Sequence, residues 1–166
     1  MQIRTSAGTS INSKKLPRIY SKLGAQMRNR EFIDYGCGRY TDHLEKYATE
    51  QNAVAFFYDP YNRTERENAE TMAAWTTRKI GFAICSNVLN VIDSDEAVTE
   101  CIGRAVVLGN GTAFFTVYEG DKSGTGKETM GGESWQRNMK LKDYERFVPD
   151  GMKASFKNGM MIVRRV

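Results

Sequence analysis

Glu31-Phe32-Ile33-Asp34-Tyr35-Gly36-Cys37-Gly38-Arg39-Tyr40 decides the fold. A short apolar run from Glu31 to Tyr35 breaks at two glycines one residue apart. A helical pattern over Thr41 to Ala48, with Leu44, Tyr47 and Ala48 on one side, follows at once. A buried strand turning tightly into a helix is the opening unit of an α/β sheet. The two glycines let the backbone turn and approach a ligand with no Cβ in the way. The helix after them offers its unpaired N–H groups to the same ligand.

Outward from this unit the pattern repeats. Ala53 to Tyr58 reads as a second buried strand, ended by Asp59-Pro60, and the charged stretch Arg63–Trp75 as a helix covering the surface. Ile80 to Val91 is a third strand region leading into Ser86 and Asn87. Asp95 to Leu108 follows as a helix with Val98, Ile102, Ala105 and Val106 on one face. Thr112 to Tyr118 is a fourth strand, Gly120 to Gly132 a glycine-rich mobile loop, and Lys140 to Val148 a short helix. Lys153 to Phe156 and Met160 to Val163, joined by Asn158-Gly159, make a terminal hairpin. On the N-terminal side, Ser13 to Met27 has helical spacing with Ser13 as N-cap and Pro17 in the opening turns, after a polar arm of 12 residues.

Strands that are continuous apolar runs, alternating with helices, predict a mostly parallel sheet covered on both faces. The expected fold is a three-layer, Rossmann-like α/β sandwich with a C-terminal antiparallel hairpin. It forms one domain over 1–166, with a basic N-terminal arm and helix at 1–30 and a cofactor-binding core at 31–166. Ligands of such sheets lie at the carboxyl ends of the strands, which directs attention to 34–41, 59–62, 85–93 and 119–135.

Composition narrows the function. The 166 residues, 40% of them hydrophobic, suffice for one core. No apolar run approaches the roughly 20 residues of a membrane span, and the N-terminus lacks the apolar stretch of a signal peptide. Three cysteines, Cys37, Cys85 and Cys101, with no Cys-x-x-Cys pair, fit neither a disulfide framework nor a structural zinc site and point to a cytoplasmic protein. A single histidine, His43, argues against a Ser-His-Asp or multi-histidine metal enzyme. The net charge of +4 divides into +7 over residues 1–30, −8 over 31–136 and +5 over 137–166. Basic ends on an acidic body suit either solvated surface or a polyanionic partner such as nucleic acid.

Asp59 lies 21 positions after Gly38, at the end of the next strand. A carboxylate there can accept the hydroxyls of a ribose. A dinucleotide is disfavoured, because Thr41 stands where the third glycine of that fingerprint belongs and Asp34 would repel a pyrophosphate. Asp34 would instead attract a cationic amine, such as the amino-acid end of S-adenosylmethionine.

Phe32-Ile33-Asp34-Tyr35-Gly36-Cys37-Gly38, Tyr58-Asp59-Pro60-Tyr61 and Ser86-Asn87-Val88-Leu89-Asn90-Val91-Ile92, in this order, resemble the motifs of class I S-adenosylmethionine-dependent methyltransferases. DYGCGR, YDPY and VLNVI are similar in particular to the methyltransferases associated with DNA phosphorothioation gene clusters. The likeness covers roughly residues 31–150, with Trp135-Gln136 and Tyr144-Glu145-Arg146-Phe147 as its weaker later part. It implies that Asp34, Gly36, Cys37 and Gly38 line the methionine part of the cofactor. Asp59 would hold the ribose, Pro60 and Tyr61 flank the adenosine, and Asn87 to Asn90 lie past the fourth strand of the family fold, next to the transferable methyl, with Ser86, Asn87 and Val88 among the cofactor-binding residues. Asn87 and Asn90 are the candidate catalytic residues, as hydrogen-bond partners of an acceptor amine or hydroxyl. Two departures stand out: Tyr40 occupies the place of a further glycine, and no apolar strand separates Asp59 from Ile80, which leaves the adenine contact unplaced.

The expected activity is methyl transfer to nucleic acid, a nucleotide or a small molecule. The alternatives are an S-adenosylmethionine-binding protein without transferase activity, a cofactor-degrading enzyme and a nucleotide-binding oxidoreductase, the last opposed by Asp34. Ordinary amino-methylation of DNA bases loses support, since Ser86-Asn87-Val88-Leu89 stands where those enzymes carry Asp/Asn-Pro-Pro-Tyr/Phe. A short chain without a target-recognition domain would suit a phage or mobile element. Gly124-Thr125-Gly126-Lys127-Glu128 echoes a phosphate-binding loop, but Glu128 replaces the metal-binding hydroxyl, and the segment reads as a lid. His43 reads as a surface residue, Cys37 as a small packed one, and Trp135 as either a packing residue or a stacking one.

Overall fold

The computed structural model describes residues 14–132 and 134–166; the polar arm and the expected cap Ser13 lie outside the described residues. The described residues form the α-helices α1 (Arg18–Met27), α2 (Asp42–Glu50), α3 (Glu65–Thr77) and α4 (Asp95–Leu108). Their strands are β1 (Glu31–Tyr35), β2 (Val54–Tyr58), β3 (Ile80–Ser86), β4 (Thr112–Thr116), β5 (Lys127–Thr129), β6 (Ser134–Gln136), β7 (Met152–Lys157) and β8 (Met160–Arg165). Six strands form one sheet in the order β2-β1-β3-β4-β8-β7. The first four run parallel, and β8 lies antiparallel between β4 and β7. This is the expected mostly parallel α/β sandwich with its closing hairpin.

Alternation along the strands makes two cores. Phe32, Phe82 and Phe114 point to one face and touch in series, with ring centroids 5.2 and 5.5 Å apart. Ile19, Tyr20, Leu23 and Met27 of α1 and Leu44 and Ala48 of α2 cover them. Each such side chain, fully buried, contributes about 2 kcal/mol, so the basic N-terminal helix belongs to the core and does not project from it. Ile33, Ala83 and Phe115 point to the other face, under Val98, Ile102 and Ala105 of α4, with Met72 and Trp75 of α3 alongside. A capping box at Thr64 starts α3, and Ser94 caps α4 by accepting from the N–H of Ala97.

The chain runs from β1 through α2 to β2 on one side of β1, and α3 then carries it back to β3 on the other side. No strand interrupts that return. The direction of winding therefore reverses beside β1, and the crevice outside the strand ends at such a point is where ligands of open α/β sheets bind.

Several boundaries differ from expectation. α1 begins at Arg18, with Pro17 extended (φ −60°, ψ 141°) in the capping position; the proline ring holds the residue before it out of the helical region. The third strand stops at Ser86, because Asn87 turns left-handed (φ 57°), and Leu141–Phe147 is a 3₁₀ turn. The segment expected as a bare mobile loop contains β5, paired antiparallel with β6. It is held by buried Asn138, whose amide donates to the carbonyl of Thr125 (3.1 Å) and whose backbone carbonyl accepts from Gly124 (2.9 Å). Among the described residues no helix is long and apolar enough to cross a membrane.

Candidate functional site

The carboxyl ends of β1, β2 and β3 open into one cavity of about 910 Å³. All ten residues expected at the cofactor line it: Asp34, Gly36, Cys37 and Gly38 after β1, Asp59, Pro60 and Tyr61 after β2, and Ser86, Asn87 and Val88 after β3.

The turn after β1 needs its glycines. Gly36 and Gly38 have φ of 85° and 77°, where a side chain is strained. The Gly36 N–H donates to the carbonyl of Tyr58 at 2.7 Å, tying the turn to β2. A Cβ on Gly36 would come within 2.3 Å of Val88 Cγ2, so the turn also passes close to the third strand end. Burial, with the charges of Asp34 and Asp59 adding to it, pushes the Cys37 thiol well up, which fits a packed residue and not a thiolate nucleophile.

Asp34 is buried and accepts a hydrogen bond from the hydroxyl of Tyr20 at 2.6 Å. Burial raises its pKa to about 7. The Tyr20 hydrogen bond opposes that rise and the Asp59 charge adds to it. Among the described residues no cation forms an ion pair with Asp34. A buried carboxylate in a cavity wall, with only a neutral donor, is suited to a cationic ligand.

Asp59 behaves differently from expectation. One carboxylate oxygen accepts the Gly38 N–H at 2.9 Å. The other accepts the N–H groups of Tyr61 and Asn62, both at 2.9 Å, and the Asn62 amide at 3.1 Å. A carboxylate oxygen has about two acceptor positions, so the one facing Tyr61 and Asn62 is fully used within the chain and the one facing Gly38 keeps a single open position. Asp59 thus clamps the β1 and β2 turns together, and accepting both hydroxyls of a ribose would require displacing some of these donors.

The two candidate catalytic asparagines separate. Asn87 lines the cavity, its N–H held by the carbonyl of Thr116 at 2.8 Å, while the hydroxyls of Ser86 and Thr116 share a 2.9 Å hydrogen bond. Asn90 is buried away from the cavity lining. Its amide donates to Gln136 at 3.2 Å and its carbonyl accepts the Arg137 N–H at 2.8 Å. Arg137, unremarkable in the sequence, is buried, donates to the carbonyl of Ile92 at 3.1 Å and pairs with Asp95. It fastens the loop after β3 to the start of α4. No local pattern announces this role, because its partners lie more than 40 positions upstream.

Other walls complete the cavity. Lys15, Arg18 and Lys22 border it on the α1 side, with half-buried His43 of α2 beside them. A largely apolar arm on the α4 side is formed by Tyr35, Val91, Ile92, Ala97 and Cys101, with the ion pair of Glu100 and Arg104 also in its lining. Tyr118, which follows β4, stands at the mouth. The segment 124–128 does not line it: Lys127 pairs with Asp121 at 3.0 Å, and Gly126 packs against the Trp135 ring. Trp135 thus has a packing role. Among the described residues no three His, Cys, Asp or Glu side chains converge to hold a metal ion.

No protein-family model matches the chain, and none of the curated proteins matches it. Among solved structures it is similar to a protein from Rhodobacter sphaeroides provisionally named as a Zn-dependent alcohol dehydrogenase, with 12% identity, 92% of each chain covered and a TM-score of 0.54. A second similar structure is an uncharacterized protein from Listeria monocytogenes serotype 4b, at 7% identity and a TM-score of 0.40, over 92% of this chain and 69% of that one. At 12% identity the first likeness is one of fold, and the fold is the Rossmann-like α/β sandwich.

Proposed function

We propose that the protein is an S-adenosylmethionine-dependent methyltransferase of the class I type. The observation that carries the reading is the convergence of buried, cation-free Asp34 with the Gly36–Gly38 turn and Asp59 in one cavity at the reversal point of the sheet. The chemistry of these groups fits S-adenosylmethionine. Asp34 suits the ammonium end, the left-handed turn at Gly36 and Gly38 brings bare backbone to the cavity wall, and the largely apolar arm beside Tyr35 suits a heteroaromatic ring. Asp59 would act chiefly by shaping both turns, with the Asn62 amide beside it as a further group at the ribose end.

When bound, the cofactor supplies an electrophilic methyl group on a sulfonium centre. The chain's part is to hold an acceptor in line with it, since placement of two reactants supplies much of such an acceleration. Asn87 is the residue suited to hold the acceptor, because its backbone is fixed to Thr116 and it lines the cavity. Asn90 would serve as a scaffold for the loop. The acceptor is nucleic acid, a nucleotide or a small molecule.

Binding without transfer is the second reading, and the seclusion of Asn90 favours it, because one of two acceptor-side amides is absent from the cavity. Calorimetry with S-adenosylmethionine, S-adenosylhomocysteine and NAD tests the class. Both sulfur ligands are expected to bind and NAD is not, and Asp34→Asn is expected to weaken both. Failure of both sulfur ligands to bind would sink the proposal. Mass spectrometry of labelled cofactor incubated with DNA, RNA and metabolite extracts then separates transfer from mere binding or degradation.

A further inference from the structure

The two basic ends of the chain meet on one side of the sheet. The Lys22 amine, on α1, donates to the backbone carbonyls of Asn158 (2.7 Å) and Gly159 (3.3 Å) in the turn of the terminal hairpin. In that hairpin Lys153 faces Arg164 and Lys157 faces Met160. Residues opposite one another in an antiparallel pair point to the same side, and Met160 and Ile162 pack under α1. Lys153, Lys157 and Arg164 therefore continue on the α1 side of the sheet, beyond Arg18 and Lys22, and all three are exposed. None of these five cations has an ion-pair partner among the described residues. Residues 14–30 and 151–166 contain no Asp or Glu.

This basic track ends at the cavity, where Arg18, Lys22 and Gly159 form part of the rim. The chain has three tyrosines among its large exposed hydrophobic residues, Tyr40 (42%), Tyr61 (42%) and Tyr118 (64%), and all three line that cavity. The Lys14 ammonium lies over the Tyr40 ring, 5.2 Å from its centroid, and Tyr118, the most exposed of the three, offers the aromatic face for a base. An exposed aromatic face next to a cationic groove is the element by which proteins hold unpaired bases and track a phosphate backbone. A small anionic metabolite would use the rim but leave the outlying Lys153, Lys157 and Arg164 without a role.

We propose that the α1 side of the sheet, from Arg164, Lys153 and Lys157 through Lys22 and Arg18, binds a single-stranded polynucleotide and leads one unstacked base past Tyr118 toward Asn87. The proposal rests on the methyltransferase reading for the role of that base as acceptor; the binding surface itself stands on charge and geometry.

The test is fluorescence anisotropy with labelled single-stranded DNA and RNA of the same sequence, about 12 nucleotides long, and with the matching DNA duplex. A single strand should bind more tightly than the duplex, and the log–log dependence of its affinity on salt should have a slope of about −3. Lys153→Glu/Lys157→Glu/Arg164→Glu should lower the affinity by about 30-fold or more and flatten that slope. Tyr118→Ala should weaken single-strand binding by about 10-fold with the slope unchanged. Arg18→Glu gives an independent check if the triple variant fails to fold, and should weaken binding in the same direction. Affinity indifferent to the charge reversals overturns the proposal, as does binding of duplex and single strand alike with no effect at Tyr118. Calorimetry with S-adenosylhomocysteine on the same samples separates the two readings. If it binds and the oligonucleotides do not, this inference falls and the cofactor assignment stands. If the oligonucleotides bind as expected and it does not, the acceptor role falls.

Discussion

The hydroxyl of Tyr20 donates a 2.6 Å hydrogen bond to the carboxyl of Asp34, from a helix whose only charged residues are Arg18 and Lys22. One helix therefore serves three ends. It buries Ile19, Tyr20, Leu23 and Met27 against the sheet, it fixes the carboxylate at the end of β1, and it supplies cations to the cavity rim. The electrostatics alternate across a short distance: a buried acid inside the cavity, bases at its edge. Such an arrangement accommodates a cationic group deep in the site and an anionic chain outside it.

Replacing Tyr20 by Phe removes the donor that favours ionised Asp34 while keeping the ring in the core. The pKa of Asp34 is then expected to rise above about 7. The variant should lose about 1–3 kcal/mol of stability at neutral pH, the cost of an unsatisfied buried acceptor. Urea unfolding measures the loss. Calorimetry should show weakened S-adenosylmethionine binding at neutral pH that recovers as the pH is raised, and weakening independent of pH would speak against Asp34 as the amine's partner.

The titration of Asp34 also has a sign. Its folded-state pKa is raised from the ordinary 3.8 to about 7, so between these values the folded state binds more protons than the unfolded one. The contribution of Asp34 to stability is therefore full below about pH 4 and is lost as the pH rises through about 7, at a rate on the order of 1 kcal/mol per pH unit. Ligand binding should run the other way, strengthening as the carboxyl ionises, with a proton released on binding below about pH 7. Unfolding curves and calorimetry in buffers of different ionisation enthalpy test both. Asp34→Asn should remove both dependences.

The elements that the sequence reveals most sharply are those fixed by local pattern. β1 (Glu31–Tyr35) and α4 (Asp95–Leu108) begin and end where apolar run and periodicity say they should. The site residues after β1, β2 and β3 are legible for a related reason: glycines, prolines and carboxylates at strand ends are conspicuous against continuous apolar runs. What stays hidden depends on distant partners. β5 and β6 have three residues each and are held by Asn138 and by Trp135 against Gly126, contacts that no local window contains. The pairing of Tyr20 with Asp34, the clasp of Arg137 on Asp95 and the meeting of Lys22 with Asn158 span 14, 42 and 136 positions. The sequence overstates the spare capacity of Asp59, because its four donors come from backbone and from Asn62, not from anything its own position announces.

Asp59→Asn should expose how far the site depends on that clamp. An amide has one acceptor oxygen, so it cannot satisfy the four donors now around the carboxylate. Its own N–H₂ would also face backbone N–H groups. A loss on the order of 3 kcal/mol is expected, together with loss of S-adenosylmethionine binding. Urea unfolding and calorimetry provide the two readouts. A variant that is as stable as the parent yet fails to bind would reassign Asp59 from clamp to direct ligand.

The two asparagines after β3 offer the sharpest separation of chemistry from scaffold. Asn87 has a left-handed backbone, φ 57°, so Asn87→Gly keeps that conformation without strain and removes only the amide. Asn87→Ala would add about 1 kcal/mol of backbone strain to the same deletion and is the poorer probe. Asn90→Ala removes the partner of Gln136 and should cost about 1–2 kcal/mol. If Asn87 orients the acceptor, Asn87→Gly should stay within about 0.5 kcal/mol of the parent in unfolding. Once the acceptor is identified, its methyl transfer should fall by about 100-fold, with binding of S-adenosylhomocysteine unchanged. Asn90→Ala should show the converse, a weaker fold with transfer largely retained wherever the protein remains folded. Full transfer by Asn87→Gly would remove that residue from the mechanism and shift attention to the other polar side chains of the cavity, of which His43 lines its α2 wall.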